Sequence, residues 1–188
     1  IFGKGKKKAG KATAGSAQDD SIRTAKVGDV VSISGLRLEY DDIYFFIEKI
    51  DRYTSDSETW YELLCVEGEN QVWIDWTDGY ELTVTATDDP NPVGLGSIGT
   101  TEEDLTHLDE EHSIDNYFTY NGTEYYYTNS GEAFYFQENA GEGSGYYTWD
   151  FISADETMVL SVDKFEGRPF EGYISEIVRP DSITVYKQ

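Results

Sequence analysis

The chain has 188 residues, enough for one ordinary domain or two small ones around a real hydrophobic core, and its formal net charge is −23. That charge is uneven: residues 1–26 hold seven Lys or Arg against two Asp, a net of +5, while the rest holds seven against 35 acids, a net of −28. A body that acidic repels phosphate backbones, because affinity for nucleic acid comes largely from Lys and Arg displacing counterions. Nucleic acid is therefore excluded as a partner, and a cationic ligand such as a polyamine or divalent cation, or a protein partner, fits better; a high-salt habitat would explain the same charge.

Residues 1–26, rich in Lys, Gly, Ala and Ser, read as a flexible basic tail. Its Lys4, Lys6, Lys7, Lys8 and Lys11 suit an anionic membrane surface, at about 1 kcal/mol for each basic residue near it. They suit equally an acidic body, the chain's own or a neighbour's. From Val27 onward short strands are predicted in "DVVSISG", "LRLEY", "IYFFIEKI", "TWYELLCV", "QVWIDW" and "YELTVTA", because apolar and polar residues alternate between turn formers. These make a first β unit over 27–87. Residues 88–114 interrupt the rhythm: "DDPNPVGLGSIG" reads as a linker, and "TTEEDLTHL" has the Thr and trailing acids of a capped short helix. Strands resume over 115–188 in "NYFTY", "EYYYTN", "EAFYFQ", "YYTWDFIS", "MVLSVDKF", "EGYISEIV" and "SITVY". The expected fold is all-β: two related antiparallel β units, each a small barrel or sandwich, with one short helix between them.

The relation between the units rests on repeated words. "VWIDWTDG" (72–79) returns as "LSVDKFEG" (160–167), Thr59-Trp60 as Thr148-Trp149, and Leu38-Glu39-Tyr40-Asp41 as Phe118-Thr119-Tyr120-Asn121, in the same order. Offsets of 88, 89 and 80 point to an internal duplication, with "NAGEGSG" as extra residues at a hairpin tip of the second copy. Asp75 and Asp163, each followed by an acid and a Gly, are expected in turns, where Asp accepts bonds from nearby backbone amides.

Chemistry is argued mostly by elimination. "GLGSIG" (94–99) matches a dinucleotide-binding pattern but lacks the preceding strand and long following helix. His107 and His112 lie five apart, poorly placed on a helix for one metal; a metal there would take Glu110 and Glu111 as its other ligands. The single Cys65 forms no intramolecular disulfide and sits in an apolar strand, which would raise its pKa instead of activating it. Paired carboxylates are too abundant to single out a catalytic pair. No catalytic, cofactor or metal residue is assigned. Trp73 and Trp76 are three apart and so face opposite sides of a strand. A Trp left exposed beside Asp75 and Asp78 would make a cation-binding surface through cation–π attraction and charge.

The order of "VGDVVSISG", an aromatic strand ending at Trp60, Trp73 in the next strand, "FTYNGTEYYYTNSGEA", Trp149 and "LSVDKFEG" resembles the bacterial family known as domain of unknown function 4178, over roughly residues 27–186. The resemblance implies a β-rich module of unestablished activity, in a family thought to accompany phage-shock-type membrane proteins and polyamine-synthase-like enzymes. No catalytic residue carries over. The functional expectation is a non-enzymatic binding or assembly module with an acidic aromatic body and a basic tether, cytoplasmic or at a membrane periphery, with an extracellular place left open. The alternatives are an enzyme using carboxylates in a cleft between the halves, and a structural subunit of a homopolymeric assembly. Acids converging in a pocket would favour the enzyme; a flat acidic face would favour the interaction module. No run of about 18 apolar residues is present to span a membrane.

Overall fold

The structure is a computed structural model and describes residues 20–188. Its strands are β1 (Val30–Ile33), β2 (Phe45–Thr54), β3 (Thr59–Glu67), β4 (Asn70–Asp78) and β5 (Leu82–Thr87), then β6 (Tyr117–Tyr120), β7 (Thr123–Phe136), β8 (Ser144–Ser153), β9 (Met158–Phe165), β10 (Phe170–Val178) and β11 (Ile183–Tyr186). Period two sets their faces. In β4, Val72 and Ile74 are fully buried in a hydrophobic core while Trp73 and Asp75 turn the other way. All eleven strands join one antiparallel sheet, ordered β11-β1-β2-β3-β4-β5-β10-β9-β8-β7-β6. One further pairing, Arg52 with Phe136 through Thr54 with Phe134, joins β2 to β7. Together with the β5–β10 pairing it closes β2–β5 and β7–β10 into a ring of eight strands.

Each half keeps a core of its own. The first gathers Val31, Ile33, Phe45, Ile47, Leu63, Cys65, Val72, Ile74, Val84 and Ala86, with Ile183 and Val185 of β11 returning to it from the chain's end. The second gathers Tyr125, Tyr127, Trp149, Phe151, Leu160 and Val162 beneath helices α1 (Leu95–Ile98) and α2 (Glu102–Glu111). The two halves then turn their remaining faces toward one another inside the ring, where the Tyr53 and Tyr146 rings lie 6.3 Å apart. Cys65 is buried, as its strand context predicts, and burial pushes its thiol pKa up.

Several expectations change. Residues 88–99 are not a free linker. Ile98 is fully buried in the second core, and Val93 exchanges two backbone hydrogen bonds of 2.8 Å with Gly172. Their Pro and Gly content hid the three apolar residues Val93, Leu95 and Ile98 that dock there. Two α-helices therefore stand between the halves where one was expected, and α2 starts with a capping box, as its Thr and trailing acids predict; the structure sets it between Thr101 and Asp104. The body also begins before Val27: Ile22 is 2% exposed in the first core, and the Val185 N–H donates to the Asp20 carbonyl. Lys4, Lys6, Lys7, Lys8 and Lys11 lie outside the described residues. Among the described residues no helix is long and apolar enough to cross a membrane.

The repeated words fare unevenly. Ile74 and Val162 face their cores, and Asp75 and Asp163 both face the ring interior. Trp149, however, packs in the second core while Trp60 stacks on Tyr53 on the interior face. The one-residue difference between offsets of 88 and 89 is a change of face. Leu38–Tyr40 forms a turn of 3-10 helix, whereas Phe118 and Tyr120 are in β6.

Candidate functional site

The face that β2, β3 and β4 turn away from the first core carries Asp51, Glu62 and Asp75. Backbone register sets Asp51 opposite Glu62 and Glu62 opposite Asp75. Directly opposed side chains on neighbouring strands have Cβ atoms roughly 5 Å apart. The second half answers with Asp163, flanked in register by Thr148 and Glu171, and with Asp150 opposite Ser161. Aromatic rings stand among them. Tyr53 is stacked on Trp60 at 5.5 Å and lies 5.1 Å from Tyr135, and Tyr146 is stacked on Phe165 at 4.6 Å. The result is an acidic, aromatic chamber whose walls come from both halves.

The acids are held unequally. Asp51, 1% exposed, accepts from the Tyr135 hydroxyl at 3.0 Å and the Glu138 backbone N–H at 2.7 Å, and its carboxylate pairs with the Lys49 ammonium at 2.8 Å. Asp150 accepts from the Ser161 hydroxyl at 2.6 Å, and Glu171 from the Tyr173 hydroxyl at 3.2 Å. Glu62 has the Tyr53 hydroxyl at 3.5 Å, a long contact.

Burial and crowding lift the carboxyl pKa values. Glu62 is pushed up to about 7, by burial first and then by Asp51, against the pull of Lys49 and Tyr53. Asp163 rises to about 7 through burial, with Asp150, Glu171 and Glu62 adding to it and a hydrogen bond from Thr148 opposing. Asp75 is held well above the ordinary carboxylate range by burial, Glu62 and Asp163. The hydroxyls of Tyr53 and Tyr146 are raised by the same burial and the same acids. Displaced carboxyl pKa values gathered in one place mark a candidate site. Chemically, the chamber can bind positive charge while giving up protons, or move a proton near neutral pH.

Of the residues singled out from the sequence, Trp73 and Asp75 share the face that lines the chamber, while Trp76 stands on the opposite face, stacked on Tyr61 at 4.8 Å. Asp78 ends β4, in backbone register with Leu82. Asp75 and Asp163 are not turn residues: each sits inside a ladder with a paired strand on both sides. Sequence reasoning missed Asp51, Glu62, Asp150 and Asp163 as a group. Alternation alone could have put Asp51 and Glu62 on the face away from Ile50 and Leu63, but pairing the two halves needed the fold. The His107 Nε2 lies 3.1 Å from Glu111 Oε1, both exposed and four apart on α2, and the His112 Nδ1 lies 3.0 Å from the Tyr127 hydroxyl. Among the described residues no three His, Cys, Asp or Glu side chains are set as a metal ion needs them.

The family described as Domain of unknown function (DUF4178) matches residues 33–180, and the chain belongs to it. No curated protein and no solved structure matches the chain.

Proposed function

We propose that this member of the family is a non-enzymatic binding module whose chamber takes an organic cation, and whose basic N-terminal residues tether the body to a protein partner, another copy or an anionic surface. One observation carries the ligand class. Asp51, Glu62, Asp75, Asp150 and Asp163 converge from both halves among Tyr, Trp and Phe rings, with Lys49 as the cation paired to Asp51. A ligand ammonium would relieve carboxyl repulsion and meet ring faces, worth about 2 kcal/mol or more for a desolvated cation–π contact. An extended amine suits the spread of acids along several strands better than a compact metal ion does. The matching placement of Asp75 and Asp163 also supports descent of the two halves from one duplicated unit.

Calorimetry with a linear diamine and with spermidine, at pH 6 and pH 8 and in two buffers of different ionisation heat, tests the reading. The expected result is saturable binding that tightens with pH and releases protons, lost in Asp75→Asn and Asp163→Asn. Absence of saturable binding at both pH values would sink it.

A second reading is favoured by the pKa values near 7 at Glu62 and Asp163: groups poised there suit general acid–base catalysis. It predicts a bell-shaped pH dependence for any hydrolytic activity found, abolished by Glu62→Gln.

A further inference from the structure

The β5–β10 seam that closes the ring is incomplete. Its register runs from Val178 with Val84 to Glu176 with Ala86, and the next exchange of hydrogen bonds is Gly172 with Val93. The rung between them, which would set Ile174 against Asp88, is missing, because the chain leaves β5 at Thr87 and detours through residues 88–92. In an antiparallel ladder alternate residues turn their backbone groups toward the same neighbour. Gly172 exchanges with Val93, whereas Ile177, of the opposite parity, donates to the Thr157 carbonyl beside β9. The N–H and C=O of Ile174 therefore point into the gap. Such groups are filled by sheet, side chain, water or ligand.

The residues that bound the gap, Ala86, Glu176, Val93, Gly172 and Ile174, all line one cavity of about 270 Å3. It lies on the core side of the seam and away from the chamber: Ala86 belongs to the first core, and Ile174 and Met158 pack against the second. Its charged residues are Arg37, Asp88, Asp89 and Glu176. The Arg37 guanidinium pairs with Asp88 at 2.9 Å and with Glu176, and Asp89 accepts from the Asn91 backbone N–H at 3.0 Å and its side-chain amide at 2.7 Å. With each charge already partnered inside the cavity, the lining favours a neutral ligand rich in hydrogen bonds. Asn121 and Tyr120 add further polar groups at the hairpin between β6 and β7.

We propose that this gap is a binding site for an N-acetylhexosamine ring. The acetamido group carries one N–H and one C=O in peptide geometry, so it supplies the missing rung. The Ile174 N–H donates to the acetamido oxygen, and the acetamido N–H donates to the Ile174 carbonyl. Ring hydroxyls both donate and accept, which matches a lining of carboxylates, a guanidinium and carboxamides. Met158 and Val93 supply apolar surface for the C–H face of the ring. A peptide strand carries the same amide, but the exchanges at Glu176 with Ala86 and Gly172 with Val93 close the gap at both ends. The gap therefore takes a single amide and not the run of them that an added strand brings.

The test is a titration of the full-length, 15N-labelled chain, followed through amide chemical shifts, with N-acetylglucosamine as the probe and glucose and glucosamine as controls. Saturable shifts of the Val93, Gly172 and Ile174 amides are expected at about 10 mM or below, with slower exchange of the Ile174 amide at saturation. At those amides glucose, which lacks the acetamido group, should bind at least about tenfold more weakly, because a site built to hydrogen-bond a group rejects the analogue without it. Glucosamine, whose ammonium donates but cannot accept, should do the same. Absence of a saturable seam shift up to about 100 mM N-acetylglucosamine would mean that water alone fills the gap, and it overturns the proposal. Glucosamine binding at the seam as tightly as N-acetylglucosamine overturns it too, since the acids and not the open rung would then select the ligand. The readout is taken at seam amides on the far side of the sheet from Asp75 and Asp163, so failure here leaves the chamber reading standing.

Discussion

Asp51 does more than supply charge. Three different elements meet at its carboxylate: Lys49 on its own strand, Tyr135 on β7 and the Glu138 backbone after β7. It sits at the β2–β7 seam that closes the ring, beside the strained Glu138–Asn139 pair. Removing one partner of a buried ion pair leaves the other uncompensated and costs about 3–5 kcal/mol. Asp51→Ala should therefore lose about 3 kcal/mol of stability in urea unfolding, while Asp51→Asn, which still accepts from Tyr135, should lose less. Equal loss in both variants would mean that charge, and not the hydrogen bonds, holds the seam. Glu62 has the opposite character. Its contact with Tyr53 is long and its neighbours are acids. Glu62→Gln removes a charge that the fold resists, so it should raise the melting temperature by about 4 °C at pH 8, where the parent group is ionised, and by little at pH 5. A drop in melting temperature at pH 8 would show that its charge is compensated by something other than Lys49.

At the scale of elements, the helical segment between the halves is fastened at identifiable points. The Trp149 indole N–H donates to the Leu105 carbonyl at 3.1 Å, and Asp109 accepts from the Ser130 hydroxyl and the Tyr147 hydroxyl, both at 2.5 Å. Burial works against the Asp109 charge, but those two donors outweigh it and hold its pKa below the usual range. Asp109→Ala should free the end of α2, costing about 1–3 kcal/mol and speeding amide exchange in α2 more than in β3 or β4. Ahead of the helices, Val93 docks on β10 where Gly172 leaves room. A Cβ at Gly172 would lie 2.9 Å from the Val93 carbonyl oxygen, a backbone atom that cannot move cheaply. Gly172→Ala should therefore cost about 1–3 kcal/mol, with increased proteolysis near residues 90–99 as the local signature. These fastenings explain why a segment rich in Pro and Gly is part of the fold. Composition reports turn formers, but it does not report that a strand elsewhere has a hole of the right size.

For the molecule as a whole, the raised and lowered carboxyls define a pH window. Glu62 and Asp163, raised from ordinary values of 4.5 and 3.8 to about 7, keep protons in the native state that the unfolded chain gives up. Stability therefore falls as pH rises through about 4 to 7, and the penalty is fully present above it. Asp29 and Asp109 work in the other direction. Burial disfavours the Asp29 charge, but Lys187 and the backbone N–H groups of Gln188 and Lys26 more than offset that and lower its pKa. The stability these two contribute is present above about pH 4 and is lost as pH falls below it. A melting-temperature profile should peak near pH 4, decline to about pH 7 and level off above it. A profile still rising to pH 8 would show that the chamber acids are ionised in the native state. Saturating diamine should flatten the decline, since a bound cation favours the ionised carboxyls.

What the sequence determined by itself was the local grammar. Alternation marked the strands, a Thr with acids behind it in "TTEEDLTHL" marked the start of a short helix, and the apolar setting of Cys65 marked it as buried, because period-two burial and capping bonds involve residues close in the chain. The repeat of Asp75 and Asp163 was legible too, though its meaning was not. As a word ending in an acid and a Gly it looked like a turn; in the fold it is a pair of acids facing the interior of the same ring. Only the tertiary structure decided that, because which face of a strand is inside depends on how the sheet closes. The β2–β7 and β5–β10 pairings bring together residues 80 to 94 positions apart. Trp60 and Trp149 show the same limit: similar in sequence, one residue out of step, and on opposite faces. The chamber is a product of that closure, assembled from residues whose chemistry the sequence displays and whose company it does not.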